Sequence, residues 1–373
     1  MASGIHPSKS PTGRLTRLLD ALERERCAAA LLVGPGHAAH VAGYSRLYSG
    51  PVALIVDGGG QTTLLTPHYE VEAARSLARV DRVVGFGGPG FGLDLAATTR
   101  LAEAVAELLP AGRVAVAEEI PGVAEAAVTG REAVAFGEAI NAIRLIKDPD
   151  ECELLARSYE LSLAAQAAVG AHARVGAREI DLYTAAFARA QTDAGAPIEF
   201  SGDLLVGERS ALVCGPVAVP GEYAARDGDV VIADLAVAHR GYWGDTARTF
   251  IVGEYPEADR VRAFISELLE ETAKGMRSGV LASAVFAGIE SAIAAQYPDG
   301  SFPHHGGHGV GVTGFEDPHL IPADSTPLRE GMVLSVEPGV YLPGRFGVRV
   351  ENTYLITEEG GVDLSSRHGA GVR

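Results

Sequence analysis

Cysteine and positive charge are scarce in this sequence, and long apolar runs are missing. The three cysteines, Cys27, Cys152 and Cys214, lie far apart with no paired spacing, which argues against a disulfide framework and a thiolate zinc site and leaves buried or incidental thiols. Lysine and arginine number 31 against 48 aspartates and glutamates, a formal net charge of −17. Such a balance repels phosphates and anionic lipid, so no nucleic-acid or membrane partner is expected. No uninterrupted apolar stretch approaches the roughly 20 residues that a membrane helix requires. The start, MASGIHPSKSPTGR, has no apolar core of signal-peptide length; residues 1–12 read as a flexible tail, and the expected location is the cytoplasm.

What is present is a globular balance, 47% apolar and 21% charged residues over 373 positions, enough chain for two domains with proper cores. LTRLLDALERER (15–26) has apolar residues at helical spacing. The β-like runs AALLV (29–33), PVALIVD (51–57) and QTTLLT (61–66) follow. RVDRVVGF, a helix-like stretch 93–110, RVAVAEE and the Ala-rich stretch 124–146 continue an α/β pattern with a small sheet, giving a first domain over 13–146. In KDPD (147–150) Pro149 breaks the chain's helix and Asp150 can cap the amphipathic segment that follows, so a second domain is placed over 147–373. Helices over 151–172 and 177–194, strands around 229–252, helices over 257–276 and 281–296 and strands over 332–357 make this an α+β domain with an internally duplicated order.

Gly85, Gly87 and Gly90 fit the GxGxxG spacing of a dinucleotide-binding turn. The surrounding glycines and the late start of the next element point instead to a flexible loop.

The chemistry concentrates in the second domain. Asp234 sits in a strand among Val230, Val231 and Ile232, where an unpaired carboxylate is costly and calls for a cation. Asp245 lies in GDTARTF. In GGHGVG, Gly307 and Gly309 bracket His308 and are expected to let the backbone pass close to a bound ion. Glu337 in LSVEPGV and Glu351 in GVRVENTYLI lie in strand-like runs, Glu337 on one face with Ser335 and Val333, Glu351 with Arg349. Any one of these residues has an ordinary structural explanation. Together, two aspartates, two glutamates and one histidine can hold two divalent ions about 3.5 to 4 Å apart, which activate water and polarise a carbonyl. Carboxylate-rich ligation suits manganese, cobalt or iron, and zinc less distinctively.

The order Asp, Asp, His, Glu, Glu in GYWGDTARTF, GGHGVG, LSVEPGVY and VRVENTYLIT resembles the pita-bread metallopeptidases, the group of Xaa-Pro aminopeptidase, prolidase and methionine aminopeptidase. HVAGYSRL (40–47) and RLIKDPDECELL (144–155) are similar to the creatinase/prolidase N-terminal domain and its junction. The resemblance covers about residues 13–360. It implies a pita-bread C-terminal domain behind a smaller α/β creatinase-like domain, with Asp234, Asp245, His308, Glu337 and Glu351 as metal ligands. Asp245 and Glu351 would bridge the two ions, and Arg349 would stand behind the glutamate. It further implies catalytic roles for Glu337 or Glu316 as proton carrier and for His304 near the pocket, manganese as the expected metal with cobalt, iron or zinc as alternatives, and a homodimer.

Two departures stand out. Family peptidases place a histidine before the acidic residue where this chain has Phe315-Glu316, and another in a loop that here falls around Ala218. Each such donor contributes roughly 10²- to 10³-fold in rate. Ala236 also replaces a usual glycine. His305 and His319 are candidate replacements, and the second reading of Glu316 is a turn carboxylate ahead of Asp317-Pro318. The expected function is hydrolysis of a C–N, amide-like bond in a small amino-acid-derived molecule. The alternatives are an Xaa-Pro dipeptidase or aminopeptidase and a metal-free binding protein.

Overall fold

The computed structural model describes residues 13–46, 50–88, 96–212 and 219–369. The expected N-terminal tail, Leu47, Cys214, Ala218 and Gly90 lie outside them. The chain divides into two compact units, Met1–Arg144 and Leu145–Arg373.

The first unit runs α1 (Gly13–Glu25), β1 (Ala29–Val33), α2 (Pro35–Ala42), β2 (Ala53–Asp57), β3 (Thr62–Pro67), α3 (Val71–Leu77), β4 (Arg82–Phe86), α4 (Ala97–Leu108), β5 (Val114–Glu118), α5 (Val123–Ala127), β6 (Ala133–Ala135) and α6 (Gly137–Leu145). Its six strands form one mixed sheet in the order β4-β3-β2-β1-β5-β6. Neighbouring residues of β1 point to opposite faces. Leu32 joins Leu18 and Leu22 of α1 and Ile140 of α6 in one core, while Leu31 joins Leu101 and Val105 of α4 in another. That is why AALLV is apolar at every position: it is covered on both sides. Among the described residues, the next helix after β4 begins at Ala97.

The second unit opens with α7 (Pro149–His172) and α8 (Glu179–Ala194), followed by β7 (Glu199–Val206), β8 (Val230–His239) and β9 (Tyr242–Ile251). The order then repeats with α9 (Pro256–Gly275), α10 (Ala282–Gln296), β10 (Gly307–Gly309), β11 (Glu316–His319), β12 (Val333–Val336), β13 (Gly339–Leu342), β14 (Phe346–Arg349), β15 (Asn352–Ile356) and β16 (Gly361–Asp363). The cap of α7 differs from expectation. Asp148 is its N-cap, with Pro149 as a first-turn residue rather than a breaker, and the Glu151 carboxylate accepts the Asp148 N–H at 2.9 Å, closing a reciprocal box.

β8 and β9 pair antiparallel from Val230↔Ile251 to His239↔Tyr242. Arg240 and Gly241 join them with φ of 53° and 83°, the positive pair that a tight hairpin turn requires. Val231, Ala233, Leu235 and Val237 pack on Leu161 and Val169 of α7 and Leu182 of α8. Helix and sheet approach so closely at Gly244 that a Cβ there would overlap the Tyr159 backbone. The second helix pair covers the sheet β11-β10-β12-β15-β16 in the same manner, with Ile265, Ile289, Leu334 and Ile356 in one core. Among the described residues no helix is long and apolar enough to cross a membrane. Cys27 and Cys152 are buried.

Candidate metal centre

Alternation along β8 settles where the first ligand candidate points. Its odd-numbered neighbours face α7 and α8, so Asp234 faces the other way. Asp234 pairs with Ala247 and Asp245 pairs with Ala236, which makes the two aspartates diagonal neighbours on one sheet face. A third carboxylate shares that face: Asp203 of β7 stands directly opposite Asp234. It carries the same signal as Asp234, an acid in an apolar strand (EFSGDLLV), and sequence reasoning passed over it. Burial first, then the Asp234 charge, pushes its carboxyl up to about 6.

His308 enters from β10, paired on one side with His319 and on the other with Ser335. The flanking glycines permit close backbone approach on both sides of His308. A Cβ at Gly307 would overlap the Ser335 carbonyl, and one at Gly309 would overlap the Asp317 carbonyl. They admit the neighbouring strands at close approach. Glu337 and Glu351 stand at joins between strands rather than within them, Glu337 between β12 and β13 and Glu351 between β14 and β15. Backbone bonds hold Glu351 in place: its N–H donates to the Ala247 carbonyl at 3.0 Å, and its carbonyl accepts from the Thr246 hydroxyl at 2.9 Å. The Thr353 hydroxyl donates to the Asp245 carbonyl at 2.9 Å.

Side chains from β8, β9 and β10 and from two joins between strands thus converge on one cluster. His308 Nε2 lies 3.8 Å from Asp245 Oδ2 and 3.8 Å from Glu337 Oε1, and potential ligand atoms of Asp245, His308 and Glu351 all fall within 4.8 Å of one another. His308 Nδ1 is 2.9 Å from the Gly309 carbonyl, which can only accept, so Nδ1 carries the proton and the Nε2 lone pair faces into the cluster. Burial pushes this imidazole down to about 3, so it is neutral. The carboxylates show the opposite strain. Asp245 is pushed up to about 8, by burial first and by the Asp234 charge second. Glu351 and Glu337 are raised well above the carboxylate range, by burial first. Asp245 Oδ1 and both carboxylate oxygens of Glu351 are buried without a hydrogen-bond partner. Buried oxygens of this kind are rare unless an ion completes them. Hard oxygen donors plus one neutral imidazole therefore fit divalent metal ions.

Around the cluster the remaining expected residues divide. Arg349 pairs with Asp234 and donates through Nε to the Tyr341 hydroxyl at 2.7 Å. His304 Nδ1 donates to the His305 carbonyl at 2.7 Å, so Tyr341 donates in turn to His304 Nε2 at 2.9 Å. Both nitrogens of His304 are thereby engaged, and its Nδ1 also lies 3.8 Å from Glu337 Oε2, at the edge of the cluster. Tyr341, four residues beyond Glu337, escaped the sequence reading. Glu316 is also committed elsewhere. Its carboxylate accepts from Lys147 Nζ at 3.2 Å and from the Val312 and Thr313 amides at 3.0 and 3.3 Å. The turn-carboxylate reading describes these contacts better than the catalytic one. His305 also borders the cluster, with Nδ1 3.5 Å from Glu337 Oε1. His319 is more exposed, 3.8 Å from the Asp317 carboxylate. Phe315 lies over His308, ring centroids 4.3 Å apart and tilted by 39°. The loop around Ala218 lies outside the described residues.

A dinuclear-type carboxylate cluster on a duplicated helix-pair and sheet frame is the pita-bread arrangement, here behind a creatinase-type N-terminal domain. The description Metallopeptidase family M24 matches residues 153–358, more than half of the sequence, and Creatinase/Prolidase N-terminal domain matches residues 14–146. The chain belongs to metallopeptidase family M24. It is 32% identical to a putative dipeptidase of Bacillus subtilis over 244 residues, 64% of this chain and 65% of the relative. It is 31% identical to the Xaa-Pro dipeptidase of Pyrococcus furiosus over 230 residues, 61% of this chain and 65% of that one. The matches thus span just under two thirds of these relatives. The solved prolidase from Pyrococcus furiosus superposes with a TM-score of 0.79 at 26% identity, covering 93% of this chain and 98% of that one.

Proposed function

We propose that this protein is a metal-dependent hydrolase of an amide bond in a small amino-acid-derived substrate, with a dipeptide as the first candidate. One observation carries the reading: the partnerless buried oxygens of Asp245 and Glu351 gather around the lone pair of His308 Nε2. Family membership and the dipeptidase relatives support it. Asp234, Asp245, His308, Glu337 and Glu351 would hold two divalent ions, manganese before cobalt, iron or zinc. When bound, such ions supply an activated water and a polarised carbonyl.

The chain's own residues then do the rest. Glu337 is the carboxylate placed to carry a proton, since it faces the cluster while Glu316 is occupied by Lys147. Arg349 and Tyr341 hold Asp234 in place, and Phe315 shields one face of His308 from water. A cytoplasmic homodimer completes the proposal, supported by the wide spacing of the three cysteines and by the family resemblance. No observation favours a metal-free binding protein.

Metal analysis and a dipeptide panel test the reading. Protein incubated with manganese should hold about two equivalents per chain and cleave Xaa-Pro or related dipeptides, and His308→Ala should lose both properties. Full metal occupancy without cleavage of any dipeptide or amide would defeat it.

A further inference from the structure

The turn from Gly311 to Phe315 is fastened at more points than a surface turn needs. The Gly311 carbonyl accepts from the Trp243 N–H at 2.8 Å, and its own N–H donates to the Thr313 carbonyl at 3.1 Å. The Thr313 hydroxyl donates to the Phe315 carbonyl at 2.9 Å. Beneath the turn lies Glu316, bound to two of the turn's amides and to Lys147, with side-chain exposures of 7% and 1% for the two ions. A Cβ at Gly311 would strike the Glu316 carboxylate, so turn and ion pair are in direct contact. Lys147 itself is anchored, its N–H donating to the Gly331 carbonyl at 2.9 Å.

All this rigidity presents one side chain. Phe315 is 64% exposed, the most exposed large apolar residue among those described. One face of its ring lies on His308 and its edge meets His305 at 6.0 Å between centroids, while the rest faces solvent. Burying a charged pair is costly, and an exposed aromatic ring gains nothing from water. Both become intelligible if the ring's free face is a surface for a ligand.

We propose that Phe315 is a specificity-determining residue, an apolar shelf beside the metal centre that takes a flat or ring-bearing apolar group of the substrate, and that Lys147 and Glu316 are positioning residues for it. The inference rests on the metal-centre reading above but reaches further, because it names the substrate class: amines or amides with an apolar side chain.

The test is equilibrium binding of L-phenylalaninamide and glycinamide to the full-length, cobalt-loaded protein, which needs no turnover. Trp243 is the chain's only tryptophan and lies two residues from Asp245, so its emission reports binding. Phenylalaninamide should bind about tenfold more tightly than glycinamide, the scale of discrimination an apolar contact of this size provides. The ratio should fall to near unity in Phe315→Ala. It should also shrink in the charge-neutral double variant Lys147→Met/Glu316→Gln, with cobalt content unchanged in both. A ratio that persists in Phe315→Ala, or no preference in the parent protein, overturns the inference. Discrimination without hydrolysis of any dipeptide would keep it and defeat the proposed reaction. Hydrolysis of Xaa-Pro dipeptides with a preference indifferent to Phe315→Ala would do the reverse.

Discussion

Glu316 and Glu351 are both buried glutamates of one unit, and they have been treated oppositely. Every charge on Glu316 is answered, by a lysine and two backbone amides. Glu351 is 1% exposed and neither of its oxygens has a partner. Glu179 follows the first pattern, accepting from the Val206 and Gly221 amides and from Arg209. Asp245 follows the second. The difference separates a carboxylate that holds the chain together from one that is a candidate ligand for an ion. Burial or charge alone does not make that distinction; the list of donors does.

The contrast breaks most visibly at the second kind. Asp245→Asn or Glu351→Gln should strip metal and, since the ion supplies several kcal/mol of transition-state stabilisation, lower turnover by about 10³-fold. The metal-free chain should gain stability from either change, because a repelled carboxylate becomes a neutral amide. Metal analysis, kinetics and melting with chelator check this together, and a metal-free chain made less stable would count against the contrast. At the first kind, Lys147→Met should cost roughly 3–5 kcal/mol by leaving Glu316 charged and buried, measured by denaturant unfolding.

Adding manganese at 100 times its dissociation constant should stabilise the parent by about 2.7 kcal/mol, and a chelator should reverse the shift. The pH dependence sharpens the same point. Because the folded protein holds the Asp245 proton up to about 8 instead of the ordinary 3.8, its contribution to stability is complete below the ordinary value and is lost as pH rises through about 8. Metal-free protein should therefore melt lower at alkaline pH than in mild acid, and Asp245→Asn should flatten that slope. Smallest of all, Phe315→Ala should change stability by about 0.5 kcal/mol or less, because its ring is 64% exposed.

How much of this was legible in the sequence varied with the range of the interaction. The helices of the second unit and the long hairpin were plain from periodicity, and AALLV marked its strand to the residue. β10 was hidden because three residues with two glycines carry no pattern. β7 and the short α2 went unread. The five ligand candidates were visible because polar residues interrupted apolar runs. The engagement of Glu316 was not visible, because its partner lies 169 positions away and nothing in KDPD marks Lys147 as buried. The bonds of His304 to Tyr341 and to the His305 carbonyl were likewise invisible, because Tyr341 lies 37 positions away.

The threonine bonds that join the backbones of Asp245, Thr246 and Glu351 carry one more consequence. Two ligand candidates from separate segments are set in register by these backbone bonds, before any ion arrives. Loading is then a matter of capture rather than of assembly. The entropy of arranging these donors is already spent when the chain folds, and the pace of metal exchange is left to the ion's own surrender of water.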